Sequence, residues 1–146
     1  MAGKIKVLMV DDEEQFRSTT SRILSRKGYE TTMAGSGEEA IEALKKSSQD
    51  VVILDIKMPG MDGHQTLAEI KKISPEVPVI MLTGHGAVES ARTSLKHGAF
   101  DYLSKPCDID LLAAKIHDAY NAVKRGVREE KKVGDIMIPI EDYTTI

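Results

Sequence analysis

Five residues of this 146-residue chain have the types and spacing to do chemistry together: Asp11, Asp12, Asp55, Thr83 and Lys105. Asp11 and Asp12 close the apolar run Val7-Leu8-Met9-Val10, and Asp55 follows directly on Val51-Val52-Ile53-Leu54. A carboxylate directly behind such a run calls for a partner, because an isolated buried charge is costly. Three carboxylates held together repel, and one is forced to protonate near neutral pH unless a cation sits among them. An all-oxygen set with few protein ligands suits Mg²⁺, which keeps several waters and accepts a phosphate oxygen. Lys105 supplies a second positive charge, and the Thr83 hydroxyl can donate one hydrogen bond to a phosphoryl oxygen. A carboxylate beside Mg²⁺ and a lysine can attack a phosphoryl group in line and form an acyl phosphate.

Singly, each residue has an ordinary structural use. An Asp pair after a strand commonly caps a helix, a Thr there reflects β-propensity, and a Lys solvates a sheet edge. The chemical reading depends on the fold bringing them to one place. Short β-rich apolar runs alternate with amphipathic patterns five times: Lys4 to Val10, Tyr29 to Ala34, Val51 to Leu54, Val77 to Leu82 and Phe100 to Ser104. VLMV, VVIL and VIML are apolar on successive residues, as expected of strands covered on both faces of a parallel sheet. Between them, Phe16, Thr20, Ile23 and Leu24 form one helical stripe, and Ala40, Ile41 and Leu44 another. Leu67, Ile70 and Ile73 follow, then Val88, Ala91 and Leu95, and last Leu111, Leu112, Ile116, Ala119, Tyr120 and Val123. Ser36-Gly-Glu-Glu predicts an N-cap with Glu39 in capping-box register, Asp108 can cap the final helix, and Gly28 and Gly98 stand where helix ends need a left-handed residue.

This alternation predicts an α/β fold, a (βα)5 doubly wound parallel sheet with right-handed crossovers. Strand order is not written in the pattern; 2-1-3-4-5 is one of the two common doubly wound solutions. In that order the ends of the first, third, fourth and fifth strands meet at one edge, where such sheets bind ligands. The five chemical residues would then converge there. The exit of the second strand, Ala34-Gly35-Ser36, carries no such chemistry.

Composition agrees with an ordinary globular domain, 41% hydrophobic and 29% charged, with a net charge of −3 that gives no attraction for nucleic acid or anionic membrane. The single cysteine, Cys107, permits no internal disulfide, and no secretory signal or membrane-spanning run is visible, so a cytoplasmic location is expected. From about residue 125 the chain changes character. GVREEKKV reads as a charged linker, and GDIMIPIEDYTTI turns apolar again and stops mid-pattern.

Through VLMVDDEE, VVILDIKMPGMDG, VIMLTGHG and AFDYLSKP, residues 4–124 resemble a response-regulator receiver domain of two-component (phosphorelay) signalling. The resemblance implies a flavodoxin-like fold of strand order 2-1-3-4-5 and an aspartyl phosphate formed on Asp55. It implies Asp12 as a direct Mg²⁺ ligand, Asp11 acting through metal-bound water and the Lys57 backbone carbonyl as a further ligand. Lys105 would pair with the phosphoryl group, across a Lys105–Pro106 bond that the family usually keeps cis. Thr83 and Tyr102 resemble the switch pair. Thr83 would move toward the phosphoryl oxygens and Tyr102 would turn in from solvent, remodelling the face of the fourth helix, fifth strand and fifth helix. To throw such a switch, phosphorylation must favour the active packing by roughly 5 kcal/mol. The partners implied are a sensor histidine kinase or phosphotransfer protein, a downstream output domain or protein, and a homodimer on activation, with neither nucleic acid nor membrane contacted directly. Turnover as an enzyme is not implied beyond self-phosphorylation and slow self-dephosphorylation. The tail GDIMIPIEDYTTI is similar to the opening of a CBS module, so residues 1–124 are read as the receiver and 125–146 as linker plus the start of an output module.

Other residues carry less. His85, two past Thr83, is expected at the pocket rim, where it could also tune water access. His64, His97 and His117 lack ligand spacing and are expected on the surface. Cys107 reads as a small packed side chain, and Lys57 as a cation able to reach a phosphoryl group. Two other readings use similar residues. A haloacid-dehalogenase-like phosphatase needs a D-x-D nucleophile motif at the end of its first strand, where this chain has Asp11-Asp12-Glu13. A flavodoxin-like nucleotide binder needs a Gly/Ser/Thr-rich phosphate loop there, and DDEEQ would repel phosphate without a metal. A receiver-shaped scaffold that no longer takes phosphate is a third, and nothing in the motifs points to such decay.

Overall fold

Strands apolar on every residue must be covered on both sides, and the computed structural model shows what covers them. It describes residues 4–84, 88–106 and 108–133. In chain order the elements are β1 (Lys6–Val10), α1 (Glu14–Arg26), β2 (Glu30–Ala34), α2 (Gly37–Lys46), β3 (Val51–Asp55), α3 (Gly63–Ile73), β4 (Val79–Thr83), α4 (Val88–Lys96), β5 (Asp101–Ser104) and α5 (Ile109–Val133). The sheet is parallel throughout, ordered β2-β1-β3-β4-β5, with β3 at its centre.

The period-two alternation of the strands divides the core. Leu8, Val10, Val52, Leu54, Val79 and Met81 face α2, α3 and α4 through Leu44, Leu67, Ile70 and Ala91. Val7, Met9, Val51, Ile53, Ile80 and Leu82 face α1 and α5 through Leu24, Leu112, Ile116 and Ala119. All five residues of β3 and of β4 are buried, as the unbroken apolar runs require.

Local signals mostly hold. Gly28 and Gly98 take φ of 105° and 106°, and Asp108 caps α5 through Asp110 N at 3.0 Å. Ser36 Oγ accepts from Glu39 N at 3.1 Å, but Glu39 returns its carboxylate to Gly35 N (2.7 Å) rather than to the N-cap residue. The full capping box belongs to α3, where Asp62 and Gln65 bond each other's backbone. β3 begins with its apolar run and the other strands one or two residues after theirs, while Asp55 and Thr83 are the last residues of β3 and β4. The segment read as a charged linker from residue 125 continues α5 to Val133. Arg, Glu and Lys are good helix formers, and the single Gly126 costs only about 1 kcal/mol, too little to end a helix already nucleated on the core. His85, Cys107 and the CBS-like tail lie outside the described residues.

Candidate functional site

The ends of β1, β3, β4 and β5 meet at the carboxyl edge of the sheet. Ile56 N donates to the Leu82 carbonyl at 3.0 Å and Lys105 N to the Thr83 carbonyl at 2.7 Å, so ladder bonds continue one residue past the strands. These bonds set Asp55, Thr83 and Lys105 side by side. On the other flank, Asp11 N donates to the Ala34 carbonyl (3.1 Å) and Arg17 Nη1 to the Asp11 carbonyl (2.7 Å), fixing the β1–α1 turn.

Asp11, Asp12 and Asp55 each offer a carboxylate oxygen, and these lie within 4.8 Å of one another. Asp11 and Asp55 are buried and Asp12 is exposed. Asp11 uses both of its carboxylate oxygens. Its Oδ1 accepts Glu13 N at 2.9 Å in a local turn, and its Oδ2 meets Lys105 Nζ at 2.7 Å. That second contact is a buried ion pair. Lys105 also reaches Glu13 Oε1 at 2.9 Å and lies 3.7 Å from Asp55 Oδ2.

Burial, with Asp11 and Asp12 nearby, pushes the Asp55 carboxyl up from 3.8 to about 6, against the pull of Lys105 and a hydrogen bond from the Lys57 backbone. Burial alone would lower the Lys105 ammonium, but Asp11, Glu13 and Asp55 outweigh it and hold it above its ordinary value. Three carboxylates thus face one ammonium. Three carboxylates crowded together, one of them with its pKa raised, and an all-oxygen donor set fit a hard divalent cation such as Mg²⁺.

Thr83 is buried at the end of β4. Tyr102 on β5 is half-buried and already packs against the core cluster containing Met81 and Ala91, rather than standing in solvent. The Lys57 side chain is exposed. The Lys105–Pro106 peptide is cis. His64, expected on the surface, is half-buried, with Nδ1 3.2 Å from the hydroxyl of the fully buried Ser94. Beside it a cleft of about 460 Å³ runs along Lys57, Met58, Asp62 and Ser90.

Glu13 and Phe16 belong to this site and were not singled out from the sequence. Glu13 looked like one of a run of acids closing the first strand, and Phe16 like part of a core stripe. Yet Lys105 Nζ sits 4.5 Å from the Phe16 ring centre. The available signal was position: both fall in the first turn after the acidic pair.

Comparison with known proteins agrees with this geometry. Residues 7–117 match the family described as response regulator receiver domain. The chain is 40% identical over 115 residues to the transcriptional regulatory protein ZraR of Escherichia coli strain K12, covering 79% of this chain and 26% of that protein. It is 42% identical over 113 residues to the DNA-binding transcriptional regulator NtrC of the same strain, covering 77% and 24%. The chain therefore spans about a quarter of the length of these relatives. Among solved structures, a response regulator receiver domain protein from Clostridium thermocellum superposes with a TM-score of 0.79 at 40% identity, over 82% of this chain and 97% of that one. NtrX from Brucella abortus, in complex with ADP, gives 0.84 at 36% identity over 87% and 29%. Sheet order, the acids at its carboxyl edge and these matches agree: the chain belongs to the response regulator receiver domain family of two-component signalling.

Proposed function

We propose that this receiver takes its phosphoryl group on Asp55, from the phosphohistidine of a sensor histidine kinase or phosphotransfer protein. The observation that carries the reading is Asp55 at the end of the central strand, 3.7 Å from Lys105 and clustered with Asp11 and Asp12. An Asp55 oxygen attacks phosphorus in line, the P–N bond of the donor breaks, and the imidazole leaves with a proton from solvent. Lys105 stands where it can take charge from the transferred oxygens, and the Thr83 hydroxyl can donate to one of them. Asp12, Asp55 and the Lys57 carbonyl would hold Mg²⁺, with Asp11 acting through a bound water. When bound, the ion supplies neutralisation of the acid cluster and of the incoming phosphoryl charge.

The response runs through Thr83 and Tyr102. Because Tyr102 is already half-buried on the core, its movement is a repacking within the α4–β5–α5 face, biased by a new local charge. Residues 1–124 act as the receiver, and the helical continuation through Val133 leads toward an output module, in the natural context of a cytoplasmic regulator. The two relatives are named as transcriptional regulators, which makes control of transcription the favoured output. Nucleic-acid contact would then belong to the output rather than to this acidic domain, and no described helix is long and apolar enough to cross a membrane. Homodimerisation on activation would use the remodelled face.

The test is incubation with a small phosphodonor and Mg²⁺, read by intact mass. One phosphoryl adduct is expected on the parent and none on Asp55→Asn. An adduct that survives in Asp55→Asn would place the acceptor elsewhere.

A further inference from the structure

Lys105 rests against the β1–α1 turn, through Asp11, Glu13 and Phe16, and stands off from Asp55. An ammonium has three donors, and three acids surround this one. Asp55 Oδ2, at 3.7 Å, is beyond hydrogen-bond reach. Asp11 Oδ2, at 2.7 Å, holds the buried side of the ammonium. Glu13 Oε1 accepts a hydrogen bond from the ammonium's exposed side at 2.9 Å. The Phe16 ring, 4.5 Å from Nζ, adds a cation–π contact on the same side. Glu13 is the N-cap residue of α1, yet its side chain makes no capping bond. Its backbone is fixed by Asp11 Oδ1, so its carboxylate is held in place and given over to the lysine.

We infer that Glu13 is a positioning residue that latches Lys105 away from Asp55 in the unmodified protein, so that phosphoryl uptake makes the ammonium exchange Glu13 for phosphoryl oxygens. The inference rests on the reading of Asp55 as the acceptor. Glu13 is 66% exposed, so the latch has the strength of a solvent-screened ion pair. It should therefore tune uptake by roughly two- to fivefold and not block it.

Trifluoroberyllate, which mimics a phosphoryl group on a carboxylate, gives the test. Its affinity for the Mg²⁺-loaded protein should rise roughly two- to fivefold in Glu13→Ala. Glu13→Gln, which keeps an acceptor but loses the charge, should lie between Glu13→Ala and the parent. In a Lys105→Met background the Glu13 substitution should make no difference, which separates a latch from a general loss of negative charge. Metal-free protein supplies a second readout. The Lys105 ε-methylene protons should show an upfield ring-current shift from Phe16 by NMR, and Glu13→Ala should reduce it. Equal affinity in parent and Glu13→Ala, or a gain that persists without Lys105, would overturn the latch while leaving the acceptor intact. No binding by the parent would instead overturn the Asp55 reading, and the latch with it.

Discussion

At the scale of single residues, the state of Asp55 is a contest between burial and chemistry. Its side chain is charged at neutral pH only against a penalty, because burial and the neighbouring Asp11 raise its carboxyl from 3.8 to about 6. A group raised in the folded state binds its proton more tightly there than in the unfolded chain. Its favourable contribution is complete below about pH 3.8 and is lost as pH rises through 6. A change of that size corresponds to about 3 kcal/mol. Asp55→Asn should therefore stabilise the metal-free protein by up to about 3 kcal/mol at pH 7.5, and by little below pH 4. Urea unfolding of parent and variant at the two pH values checks this. An equal or destabilised variant at pH 7.5 would show that the penalty is relieved by groups other than a metal.

At the scale of elements, the site depends on how closely α3 starts behind β3. Gly63, its first residue, donates to the Ile56 carbonyl at 2.8 Å. A methyl group added at Gly63 would stand 2.5 Å from both the Asp55 carbonyl oxygen and Ile56 Cα. These are backbone atoms at the exit of the acceptor strand and cannot swing aside, so the helix start would have to move. Gly63→Ala should cost roughly 1–3 kcal/mol, the usual range for overpacking. It should also slow phosphoryl uptake, because the displaced β3–α3 turn carries Lys57. Denaturant unfolding and the intact-mass assay measure the two effects on one sample. Normal stability with normal uptake would mean that the turn yields easily.

At the scale of the whole molecule, a sheet covered on both faces holds like charges together at its edge. The two core layers supply stability that the acid cluster alone would erode. A cation should therefore stabilise the fold in proportion to how well the acids hold it. Mg²⁺ at about one hundred times its dissociation constant should add about 2.7 kcal/mol to the parent. Asp12→Asn and Asp55→Asn should lose most of that gain at the same concentration. Thermal unfolding with and without Mg²⁺ decides this, and an equal gain in all three proteins would move the ion to another site.

Much of this molecule was legible in order of sequence. Continuous apolar runs ending in Asp11, Asp55 and Thr83 determined that buried strands would carry polar residues at their exits, because burial on two faces leaves no alternation to read. The helical stripes and the glycines at 28 and 98 determined the connecting elements, since both are local properties of a few residues. Tertiary structure alone decided which acids hold Lys105, how deep Tyr102 lies, and that His64 meets Ser94 across thirty residues. Those facts depend on distances between side chains from different strands and helices. A one-dimensional pattern of polar and apolar residues places elements in layers, but only packing sets which neighbours come within hydrogen-bond reach.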